Sequence, residues 1–69
     1  MTNKEKTILK DIISEIINNA NEELSLARDE FTNGKILAYN EVLSIIKNYL
    51  TGYDLKEFGL DFDIDKKYI

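Results

Sequence analysis

The chain reads as all-α. Two long runs of aliphatic residues keep helical time, no proline breaks either of them, and β-type alternation is confined to Leu60–Asp65. The first run predicts a helix over about residues 3–31. Thr2 followed by Glu5 forms a capping box, in which each side chain satisfies a backbone amide of the first turn. Beyond it, Leu9, Ile13, Ile16, Ala20, Leu24, Ala27 and Phe31 step by four or three residues, an apolar stripe of helical period. Ile8, Ile12 and Ile17 widen that stripe, so the most crowded packing is expected around Ile12 to Ile17.

A second helix is expected over about 35–50. Ile36, Tyr39, Leu43, Ile46 and Leu50 form one row, and Ala38, Val42, Ile45 and Tyr49 the row beside it. Tyr39 and Tyr49 are expected in the core, with their hydroxyls reaching its edge. Thr32-Asn33-Gly34 is a turn signal, because Asn and Gly both tolerate positive φ. It predicts a helical hairpin. The alternative is one long helix through Gly34, since Ala27, Phe31, Gly34, Ala38, Val42, Ile45 and Tyr49 stay in phase across the junction.

Gly52 then closes the second helix, and Asp54 caps a short third turn, Leu55–Phe58, ended by Gly59. In Leu60–Asp65 strict alternation describes an extended tail with Leu60, Phe62 and Ile64 on one side and Asp61, Asp63 and Asp65 on the other. Residues 1–69 thus make a single small helical domain, with a turn and tail over 54–69.

A chain of 69 residues buries only a modest core. Without Cys or His it has neither a disulfide nor a zinc site to reinforce that core, which leaves self-association or a protein partner. A homodimeric bundle closed by Ile12, Ile13, Ile16 and Ile17 is the expected form. The segment after Met1 is cut by Lys10, Asp11 and Glu15, so no signal peptide is read there. No run approaches the length of a membrane span, and a cytoplasmic location is expected. The net charge of −4 disfavours direct nucleic-acid binding, and the interspersed lysines make a nucleic-acid mimic a poor fit.

Chemistry is sparse. Ser14, Ser25 and Ser44 have no histidine to activate them. Glu22-Glu23 and Asp29-Glu30 belong to the polar arc of a slender helix, where nothing separates their pKa values. Asp61, Asp63 and Asp65 open like a calcium loop, but Lys66 stands where that loop needs Gly. No enzyme activity, cofactor or metal is expected. Phe58, Leu60, Phe62 and Ile64 admit two readings. They complete the core, or they dock into a partner while Asp61, Asp63 and Asp65 meet its basic rim.

The segment Phe31–Leu43, with an aromatic residue, then Gly34-Lys35, Ala38-Tyr39 and Glu41-Val42-Leu43, resembles a pattern in very small helical accessory proteins of phages and mobile elements of low-GC bacteria. The resemblance implies a compact helical protein, in some cases one that binds and inhibits a host factor. The expected function is therefore a non-catalytic protein-binding module, with the tail residues Phe58, Leu60, Asp61, Phe62, Asp63, Ile64 and Asp65 as its contact surface. The alternative is a structural or assembly subunit that oligomerises through its helical face.

Overall fold

The computed structural model describes residues 1–69 and is all-helical, without strands. Two long helices, α1 (Asn3–Leu24) and α2 (Glu30–Tyr49), pack antiparallel as a hairpin, and a short α3 (Ile64–Lys67) follows. The hairpin prevails over the single long helix. Its turn, however, is at Ser25–Asp29, not at Thr32–Gly34.

The reason lies in the caps. After Leu24 the Ser25 hydroxyl donates to Glu22 O at 2.6 Å, and the Ser25 and Leu26 amides bond back to Glu22 and Glu23, closing α1. Asp29, in extended conformation, then accepts from the Thr32 amide at 2.8 Å and starts α2. Asn33 and Gly34 fall inside the first turns of α2, where Gly34 has helical backbone. A genuine Asp cap thus wins over a turn dipeptide. Starting α2 five residues before Lys35 also brings Thr32 onto the buried face, one turn ahead of Ile36.

At the other end of α1, the capping box forms as read. The Thr2 amide donates to Glu5 Oε1 at 2.9 Å and the Glu5 amide to Thr2 Oγ1 at 3.1 Å. α2 ends at Tyr49 with Leu50, not Gly52, as its cap. Gly52, at φ 96°, turns the chain just beyond it, and Gly59, at φ 72°, closes the turn Leu55–Gly59, where the Leu60 amide bonds to Leu55 O at 2.9 Å.

Nine apolar residues make the core: Ile13 and Ala20 from α1, Ile36 and Leu43 from α2, Leu50 after it, and Phe58, Leu60, Ile64 and Tyr68 from the carboxyl-terminal segment. Leu9, Ile16, Ile17, Leu24, Tyr39 and Ile46 line its edge, so both principal stripes of the sequence point inward. The tail is not extended. Asp63 caps α3 by accepting from the Lys66 amide at 3.2 Å, and the alternating acids still face outward because Ile64 turns in.

Candidate docking face

Polar contacts distinguish the two flanks of the hairpin. On one flank the tail is tied down. Asn40 Nδ2 donates to Tyr68 O at 2.9 Å and to Asp65 Oδ1 at 3.2 Å, and Lys47 Nζ donates to Phe62 O at 2.8 Å. On α1 the same flank carries Asn21, which accepts from the Tyr68 hydroxyl at 2.7 Å, and Lys6, paired with Glu57 at 3.8 Å. Asn40 and Lys47, seven residues apart, mark one line of α2, while Lys6, Ile17 and Asn21 mark one line of α1.

The opposite flank is identified by Lys35 and Glu23, which pair at 2.5 Å across the helices near the loop. Glu23 is buried, and its Oε2 has no hydrogen-bond partner. The hydrogen bond to that carboxylate raises the pKa of Lys35 above the ordinary lysine value. Along α2, Val42 and Tyr49 lie in line with Lys35 at seven-residue spacing; along α1, Ile16 and Ile12 lie in line with Glu23, and Ile8 follows four residues on. No tail covers this side. Ile8, Ile12, Val42, Ile45 and Tyr49 are all exposed, from 42% at Val42 to 84% at Tyr49. Phe31, at the far end of α2, is 75% exposed, with Lys35 Nζ above its ring at 5.3 Å from the centroid.

The expected contact residues are redistributed. Phe58, Leu60 and Ile64 are buried and Phe62 is half-buried against Tyr68, with ring centroids 6.1 Å apart. Those anchors are used inside the chain, which removes them from an open docking surface. Asp63 and Asp65 serve as a cap and as the acceptor from Asn40, which leaves Asp61 as the tail aspartate with neither duty. The isoleucine cluster also divides. Ile13 is fully buried against α2, Ile17 lies on the tail flank, Ile16 forms the edge of the open side, and Ile12 is half exposed on it. Tyr49, expected in the core, is instead the most exposed large apolar side chain.

The exposed row Phe31, Gly34, Ala38, Val42, Ile45 and Tyr49 was visible as a stripe in phase along α2. What the stripe did not reveal is that one hairpin neighbour and one tail cover less of α2 than its apolar arc presents. A cavity of about 290 Å³ between α2 and α3 is lined by Ser44, Lys47, Asn48, Asp63, Ile64 and Asp65. With one apolar residue in its wall, it lacks the greasy lining that small-molecule sites use. No helix is long and apolar enough to cross a membrane. No protein-family model, curated protein or solved structure matches this chain.

Proposed function

We propose that this chain is a non-catalytic protein-binding module, a cytoplasmic regulator or inhibitor of a host protein, whose contact surface is the open face of the hairpin. One observation carries the reading. The chain spends its tail on one flank and leaves Ile8, Ile12, Val42, Ile45 and Tyr49 uncovered on the other. A contiguous apolar face on a small protein, flanked by charge, is the usual mark of an interaction site. The resemblance of Phe31–Leu43 to small accessory proteins of phages and mobile elements points the same way, and part of that segment lies on the face itself.

The test is co-purification from the native host, comparing the wild-type chain with an Ile12→Glu/Ile45→Glu double variant. Both positions lie outside the core, so the variant should keep its helical circular dichroism while losing the partner. Retention of the same partner by the folded variant would remove this face as the contact surface.

A second reading keeps the face but makes it an assembly surface for a homodimeric bundle. Gly34 and Ala38 favour it, because small side chains on an exposed helix row allow close helix–helix approach. Sedimentation at micromolar concentration separates the two readings.

A further inference from the structure

We propose that the occupant of the open face is an amphipathic helix of a partner protein, with lysines or arginines flanking its apolar stripe. This deepens the docking reading above and rests on it.

The charges around the face carry the inference. Asp11 and Glu15 each follow an exposed isoleucine, Ile8 and Ile12, by three residues, and Glu22 continues their line along the outer edge of α1. Glu30 and Glu41 form the corresponding edge of α2, beside Gly34, Ala38 and Ile45. The ion pairs of the molecule are Lys6–Glu57 and Lys35–Glu23, so all five of these carboxylates stand without a cation. Lys4, near the start of α1, is the lone free base on that edge.

An apolar strip between two acidic rails is complementary to a helix with a basic border. A second copy of this chain would instead set acidic rail against acidic rail, with like charges repelling along both seams. Shape agrees with the charge. Phe31 and Tyr49 stand exposed at opposite ends of the α2 row, about 27 Å apart at the helical rise, which suits a partner helix of about five turns. Large aromatic side chains are the residues that most often anchor such contacts.

The experiment uses the full chain and three synthetic peptides of about 18 residues, a length matching that row. All share leucines at helical spacing, and their remaining positions are Lys, Gln or Glu. Binding is followed by fluorescence anisotropy at near-physiological salt, where unspecific charge attraction is screened beyond about 8 Å. The expected result is binding of the Leu/Lys peptide in preference to the other two. Binding should weaken about tenfold or more in a Val42→Gln/Ile45→Gln variant and measurably in Glu15→Gln/Glu41→Gln. Equal binding of the Leu/Gln peptide would overturn the basic partner and leave the docking face standing. If no peptide binds and sedimentation finds a dimer that Val42→Gln/Ile45→Gln dissociates, the occupant is a second copy. Peptide binding unaffected by Val42→Gln/Ile45→Gln would sink both the occupant and the face, as would a monomer that binds none of the peptides.

Discussion

Tyr68 is the residue on which the tail closes. Its ring is fully buried, its hydroxyl donates to Asn21, and its carbonyl accepts from Asn40, so one residue ties the last segment to both long helices. Burial pushes its phenol above the ordinary value of 10.0, because ionisation would place a charge in the core. A folded-state pKa raised in this way contributes stability that is intact below pH 10 and is lost as pH rises through the folded value. Tyr68→Phe removes the hydrogen bond but keeps the ring. It should cost about 1 kcal/mol at pH 7 and flatten the alkaline fall in stability, as read from urea melts between pH 7 and 11. Gly34 is the opposite case. Its backbone is helical and nothing lies within 4 Å of the place a Cβ would take, so Gly34→Ala should stabilise the chain by about 0.5–1 kcal/mol. A decrease in urea midpoint would mean that this position is not helical.

At the level of the helices, the caps decide where each begins, and they titrate. The Thr32 amide bonded to Asp29 holds that carboxyl below its ordinary value of 3.8, and the Thr2 amide and hydroxyl do the same for Glu5 below 4.5. Depressed carboxyls contribute stability present above those values and lost as pH falls through the folded-state pKa. Thermal melts from pH 7 to pH 2 should therefore show a shallower acid decline in Asp29→Asn than in the wild type, since Asn still caps but carries no charge. An unchanged slope would mean that Asp29 does not start α2. Much of the secondary structure was legible in the residues, because period and capping are local. The row Ile36, Tyr39, Leu43, Ile46 and Leu50 is the inward face of α2, and Leu9, Ile13, Ile16, Ala20 and Leu24 that of α1. The loop was misplaced because Ala27 and Phe31 continue the phase of α1, while the signal that decides, Asp29 accepting from Thr32, looks in sequence like one more surface acid. The extent of the open face was hidden for a different reason. Periodicity tells which residues share a line, not how many neighbours the rest of the chain supplies to cover it.

For the whole molecule, the carboxyl-terminal segment is a third layer and not an appendage. Phe58, Leu60, Ile64 and Tyr68 supply four of the nine core residues, and Arg28, in the loop between α1 and α2, donates to both Asn33 and Ile69 O, joining loop to tail. A helical hairpin alone would lack those four core side chains, and most helical stability in proteins comes from packing an apolar face. Cutting the chain after Tyr53 should therefore abolish the cooperative melt and most of the helical signal in circular dichroism. A milder probe of the same layer is Leu60→Ala, which empties a fully buried site and should cost about 2–5 kcal/mol. Against it stands Ile45→Ala, on the open face, whose side chain is more than half exposed and should change stability by well under 1 kcal/mol. The pair of substitutions distinguishes apolar residues that hold the fold from those left exposed on the open face. Equal destabilisation at both sites would mean that α2 is covered on every side, and that the face assigned to docking is core.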